Sequence, residues 1–121
     1  MPTVLIVDGD NDFRKQLCRH FNDGGFDACL EAKDGFEALD EVRKHSPDLV
    51  VLEFLLPDVS GFRLAQRLKT LKPDLPIFMM AALYGPHIEK KAQSCGIVAV
   101  FSKRDDMEAL VKNGRAICGI E

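Results

Sequence analysis

A chain of 121 residues can bury one real core but is too short for two ordinary domains, so a single domain over residues 1–121 is expected. Its 46% apolar and 29% charged residues, with no Trp, exclude the disordered and fibrous classes. Sixteen Lys and Arg against nineteen Asp and Glu leave a formal charge of -3, which gives no footprint for nucleic-acid phosphates and argues against direct DNA binding.

The chain opens with "VLIV" at 4–7, short, β-branched and continuous, as suits a strand buried on both faces of a parallel sheet. In "DGDNDFRKQLCRHFNDGG", Asp10 or Asn11 can cap a helix whose apolar positions Phe13, Leu17 and Phe21 recur at spacing four, and Gly24 and Gly25 end it. "FDACLEA" reads as a second, alternating strand. "DGFEALDEVRKH" reads as a second helix with Phe36, Leu39 and Val42 on one face.

Ser46-Pro47 then breaks the chain before "DLVVLEF", the most apolar strand. A third helix runs from about Gly61 through "FRLAQRLKTL", offering Phe62, Leu64, Leu68 and Leu71 to the core. "LPIFMMAA" is a fourth buried strand, in which Met79 and Met80 read as core filling rather than a binding stripe. "GPHIEKKAQSCG" is a polar fourth helix, "IVAVFS" a fifth strand, and "DDMEALVKNGRAI" a last helix that Asp105 or Asp106 would cap. Strands alternating with helices imply right-handed crossovers and an α/β three-layer sandwich with helices on both faces of a parallel sheet.

Cys18, Cys29, Cys95 and Cys118 form no Cys-x-x-Cys pair and no Cys/His cluster, so neither zinc nor a dithiol motif is indicated. All four are expected to be free thiols in a reducing cytosol. No stretch approaches the roughly 20 apolar residues of a membrane span, and no charged-then-apolar leader precedes the first strand. The expected compartment is the cytoplasm.

In an open parallel sheet the functional crevice lies beyond the carboxyl ends of the strands. There the chain places Asp8 and Asp10, then Glu53, then Ala81 and Ala82, then Ser102, Lys103 and Arg104. A nucleotide site is disfavoured, because "VDGDNDF" has one glycine among three acids that would repel phosphate. A nucleophilic hydrolase is disfavoured too, because His20, His45 and His87 fall in or at the ends of helices with no nucleophile near them in sequence. Acids with one lysine suit Mg²⁺ and an acyl phosphate: carboxylates hold the ion, metal and lysine neutralise phosphoryl oxygens, and a carboxylate attacks phosphorus.

The order "VLIVDGD", "PDLVVLEFLLPDVSG", "LPIFMMAAL" and "GIVAVFSKR" resembles the receiver domain of bacterial two-component response regulators over essentially the whole chain. Its most specific part is the acid Glu53 followed by Pro57 and Gly61, and "EAKDGFEAL" is similar to the family's second strand and helix. The resemblance implies a flavodoxin-like, doubly wound (βα)5 sandwich with a five-stranded parallel sheet. It also implies that Glu53 stands at the phosphoacceptor position, that Asp8, Glu53 and the carbonyl of Leu55 are what is left of the metal site, and that Lys103 is the family's lysine after strand five.

The family's pattern is broken at several positions. Its acceptor aspartate is Glu53 here, and its second metal-binding acid is Gly9. The hydroxyl residue ending strand four is Ala81, and the aromatic switch residue is Val100. Asp10 is one place too far along for the metal and reads as the helix cap. Glutamate reaches about 1.5 Å beyond aspartate, and an ångström of misplacement can cost on the order of a hundredfold in rate. Alanine cannot donate the hydrogen bond by which a hydroxyl reports the phosphoryl group.

The implied reading is a non-enzymatic pseudo-receiver, a module of phosphorelay signal transduction that binds a protein without regulated aspartyl phosphorylation. A salt bridge from Glu53 to Lys103 is expected in it. No cofactor is expected beyond weak Mg²⁺. Its partner would be a histidine kinase or an output domain docking on helix four, strand five and helix five, a face that would also serve a homodimer. Two alternatives stand beside this reading: a receiver that still accepts phosphate from a histidine kinase, at Glu53 or at a neighbouring acid such as Asp58, and a small-molecule module using the altered acidic crevice. Taken without the resemblance, Glu53 reads as a solvated strand-end acid, Lys103 as the start of a helix, and "EKK" and "KNGR" as solvated faces.

Overall fold

The computed structural model describes residues 2–82, 85–103 and 107–120. Ten elements follow in strict alternation: β1 (Thr3–Val7), α1 (Asn11–Asp23), β2 (Ala28–Ala32), α2 (Gly35–His45), β3 (Leu49–Glu53), α3 (Gly61–Leu71), β4 (Ile77–Ala81), α4 (Pro86–Ser94), β5 (Ala99–Ser102) and α5 (Met107–Ile117). All strands are parallel, in the order β2-β1-β3-β4-β5. This is the doubly wound, flavodoxin-like order, with its reversal between β1 and β3.

Covered on both faces, the three central strands are apolar without alternation. Val4, Ile6, Leu49, Val51, Phe78 and Met80 point to one layer, where Leu17 and Phe21 of α1 and Leu110 and Val111 of α5 meet them. Leu5, Val7, Val50, Leu52, Ile77 and Met79 point to the other, against Ala38 and Val42 of α2, Leu64, Ala65 and Leu68 of α3, and Ala92 of α4. Both methionines are core, as expected. Caps set the helix starts: Asp10 accepts from the amides of Asp12 and Phe13, Asp34 from Glu37, and Ser60 from Arg63.

Several expectations are corrected. Phe36 is 78% exposed and faces water, because the stripe of α2 that packs on the sheet runs through Ala38 and Val42, and a residue two places from Ala38 lies on the opposite side of the helix. In α3, Ala65 lies buried while Leu71 is partly exposed. Cys18 and Cys29 are not free thiols: they are joined in a disulfide between α1 and β2, leaving Cys95 and Cys118 free. The expected caps Asp105 and Asp106 lie outside the described residues.

Candidate functional site

Asp8 follows β1 directly, and its amide continues the ladder to the carbonyl of Ala32 at 3.0 Å. Its side chain is fully buried, with Oδ1 accepting from the Asp10 amide at 2.8 Å. Asp10 turns outward to cap α1, so the second acid does not enter the pocket. Arg14, one turn into that helix, donates from Nη1 to the Asp8 carbonyl at 2.7 Å and from Nη2 to Asn11 Oδ1 at 2.7 Å, while its Nε pairs with Glu31 Oε1 at 3.1 Å. Gly9 leaves room for a side-chain carbon: a Cβ there would meet its nearest neighbour, Pro57 Cγ, at 3.5 Å, an ordinary van der Waals contact.

Glu53 ends β3. The chain then folds back, with the Phe54 amide on the Met80 carbonyl and the Gly61 amide on the Phe54 carbonyl, both at 2.8 Å. This is why position 61 is glycine: a Cβ would lie 2.7 Å from the Glu53 carbonyl oxygen, closer than side chains tolerate. Leu55, expected to offer its carbonyl to a metal, bridges Ser60 and holds its side chain 70% exposed.

Asp58 in the same loop accepts from the amides of Gly35 at 2.9 Å and Phe36 at 3.1 Å, closing the N-terminus of α2. What burial it has works to raise its carboxyl, but these two amides and the charge of Arg67 outweigh that and hold its pKa below the ordinary aspartate range. A depressed folded pKa means that the contribution to stability is present above the unfolded value and is lost as pH falls through the folded one. Asp58→Asn is therefore expected to lower stability at pH 7 by about 0.5 kcal/mol, the low end for a weakened helix-end acceptor because Asp58 is exposed and water screens its charge, and by less as pH falls below the ordinary aspartate range, measured by urea denaturation at pH 7 and in acid. An equal loss at both would show that the charge of Asp58 is not what holds the loop.

Lys103 follows β5, its amide on the Ala81 carbonyl at 3.0 Å. Its Nζ lies 2.8 Å from Glu53 Oε1 and 2.9 Å from Asp8 Oδ2, and 4.6 Å from the centroid of the Phe13 ring. The expected Glu53–Lys103 ion pair thus forms, with Asp8 as a second anion. Burial pulls the lysine pKa down, but the hydrogen bond to Glu53 and the two carboxylates prevail and hold it above the usual lysine range. Burial also raises the Glu53 carboxyl, as does the charge of Asp8, against the opposing pull of Lys103.

A Mg²⁺ site of the family's kind does not fit these residues. Position 9 has no carboxylate, both acids that remain hold the ammonium, and no group of three metal-capable side chains occurs among the described residues. Ala81 is buried at the end of β4 and brings no hydroxyl, and Val100 packs partly buried against the core. Sequence reasoning missed Phe13, read as core, and Arg14, whose partner Glu31 lies 17 residues away with no local signal.

The Response regulator receiver domain profile matches residues 4–114. The chain belongs to that family. It is a receiver module of two-component signalling. It is 32% identical over 117 residues to a Pseudomonas aeruginosa protein named "Putative transcriptional regulator", covering 97% of this chain and 56% of that one. It is 29% identical over 107 residues to the Sporulation initiation phosphotransferase F of Bacillus subtilis, covering 88% and 86%. To the Response regulator MprA of Mycobacterium sp. strain KMS it is 37% identical over 79 residues, 65% of this chain and 34% of that protein. The receiver thus spans about half of the first relative and a third of the last. Among solved structures, the receiver domain of Francisella response regulator 1452 superposes with a TM-score of 0.91 at 22% identity over 98% of both chains. The chemotaxis response regulator CheY4 of Vibrio cholerae superposes with 0.87 at 24%, over 97% of this chain and 98% of that one. No helix of the described residues is long and apolar enough to cross a membrane.

Proposed function

We propose that this receiver acts as a protein-binding signalling module in which an internal ion pair replaces regulated phosphorylation. One observation carries the reading: Lys103 Nζ is hydrogen-bonded to Glu53 at 2.8 Å and ion-paired with Asp8 at 2.9 Å, so the family's lysine is already neutralised by carboxylates of its own chain. Gly9 and Ala81 support it, since they remove a metal-binding acid and the hydroxyl that would bond the phosphoryl oxygen. Asp58 is a poor substitute acceptor, because its carboxylate is engaged with two backbone amides. Glu53 supplies one negative charge where a phosphoaspartate would supply about two, so the pocket imitates the phosphorylated state only in part.

The docking face is formed by α4, β5 and α5, where Glu89, Lys90 and Lys91 are exposed, Val98 stands largely in solvent, and Lys112 and Asn113 face outward. A histidine kinase or an output domain, or a second copy of the chain, meets the molecule there, in the cytoplasm. Incubation with acetyl phosphate and Mg²⁺ followed by intact mass tests the reading. The expected mass is unchanged; an added phosphate of about 80 Da overturns it.

A further inference from the structure

Three cross-links run along the seam between α1 and β2. Arg14 Nε pairs with Glu31 Oε1 at 3.1 Å, Lys15 Nζ with Glu31 Oε2 at 3.3 Å, and Cys18 is bonded to Cys29 with their Cα atoms 5.6 Å apart. The spacings account for this. Arg14 and Cys18 are one turn apart on the same helix face, and Cys29 and Glu31 are two apart on the same strand face, so the ion pairs and the disulfide are successive rungs of one ladder.

The ladder leads into the pocket. Arg14 Nη1 holds the Asp8 carbonyl at 2.7 Å, and Phe13 beside it lies against the Lys103 ammonium. Its other rail is an edge strand, since among the described residues β2 pairs only with β1. An edge strand is held by ladder hydrogen bonds on one side alone, and the covalent bond ties it to α1 as well, beside the two ion pairs of Glu31. The two cysteines that remain do not compete for the bond. Cys95 is buried in the opposite layer, and Cys118 lies with its Sγ 3.9 Å from the Asp48 carbonyl, where burial pushes its thiol up and keeps it protonated.

We propose that the Cys18–Cys29 bond is a reversible thiol–disulfide switch, read by the Asp8–Glu53–Lys103 pocket through the Arg14 rung. It does not depend on whether Glu53 accepts phosphate. The reductant is a small thiol of the glutathione class. Its thiolate attacks the sulfur of Cys29, which is only partly buried, and not that of Cys18, which is buried. The Cys18–Cys29 bond breaks, a mixed disulfide forms at Cys29, and Cys18 leaves as a thiolate that takes a proton. A second small-thiol thiolate attacks the small-molecule sulfur of that mixed disulfide and releases Cys29, which is protonated in turn. Two electrons and two protons reach the protein, and two small thiols become one small disulfide.

The full chain is equilibrated in glutathione mixtures from reduced to oxidised, free thiols are trapped by alkylation, and the intact mass is read. The expected result is two labels in oxidising mixtures, on Cys95 and Cys118, and four in reducing ones, interconverting on transfer between mixtures. Four labels at every ratio, or two labels even in fully reduced glutathione, overturns the proposal. Amide NMR spectra supply the coupling: the amides of Asp8, Asp10 and Lys103 are expected to shift on reduction, with Tm falling by about 10 °C. Shifts confined to residues flanking the two cysteines overturn the link to the pocket. Cys29→Ser is expected to give the reduced spectrum in every mixture, and Cys118→Ser to keep the full response; a response lost in Cys118→Ser means that another thiol is the sensor.

Discussion

Lys103→Met is expected to destabilise the protein by about 2 kcal/mol at pH 7, measured by urea denaturation. The substitution keeps the length and the contact with the Phe13 ring but leaves two carboxylates facing each other, one of them fully buried, with no cation between them. Breaking a buried pair in this way costs about 3–5 kcal/mol. The side chains of Lys103 and Glu53 each keep 19% of their surface in water, which screens part of that loss.

The pH dependence has a definite sign. Without the lysine, burial and the Asp8 charge both push the Glu53 carboxyl up, and a raised folded pKa contributes stability that is present below the unfolded value and lost as pH rises through the folded one. The deficit of the variant should therefore shrink toward pH ~4.5 and grow toward pH ~7.5. Adding Glu53→Gln should recover part of it. A deficit below about 0.5 kcal/mol at pH 7 would place the pair among ordinary surface ion pairs.

Gly9→Asp, Glu53→Asp and Ala81→Thr combined are expected to turn the protein into a phosphoacceptor that gains about 80 Da from acetyl phosphate and Mg²⁺. Position 9 can take the acid, since a Cβ there meets nothing closer than 3.5 Å. Aspartate at 53 draws the carboxylate back by about 1.5 Å from Lys103 and frees it for metal and phosphorus. Threonine at 81 stands at the end of β4, paired with Ser102, where a hydroxyl can donate to the new group. Glu53→Asp alone should label on the order of a hundredfold more slowly, because it still lacks one metal-binding acid and that donor. A folded triple variant that takes no phosphate would overturn the expectation that these three positions decide whether the pocket is phosphorylated.

Much of the fold is legible in the amino-acid sequence. Continuous apolar runs mark the buried strands, and Asp10 marks the start of α1, because both signals are local: a strand buried on two faces need not alternate, and a cap needs only the next three residues. The Glu53–Lys103 pair is reachable only by resemblance, since its members are 50 residues apart. Other features are not legible. Phe36 fits the helical stripe of α2 on paper, yet the stripe that packs on the sheet runs through Ala38 and Val42, and Phe36, on the far side from Ala38, is turned out. The hold of Asp58 on the N-terminus of α2 spans 22 to 23 residues and crosses between two loops. The disulfide gives no signal either, because its cysteines are 11 residues apart across helix and turn, and only the packing of α1 on β2 sets their Cα atoms 5.6 Å apart.

The order of residues alone settles the alternation of elements, the strands that are buried on both faces, and the lack of an acid at position 9 and of a hydroxyl at 81. Such properties follow from side-chain period and residue identity. Tertiary structure decides which groups meet. Strand order β2-β1-β3-β4-β5 brings Asp8, Glu53 and Lys103 to one edge of the sheet, and there the lysine is claimed by two carboxylates of its own chain. An ion pair depends on distances of a few ångströms between residues far apart in the chain, and the crossovers of the fold, not the spacing of letters, set those distances.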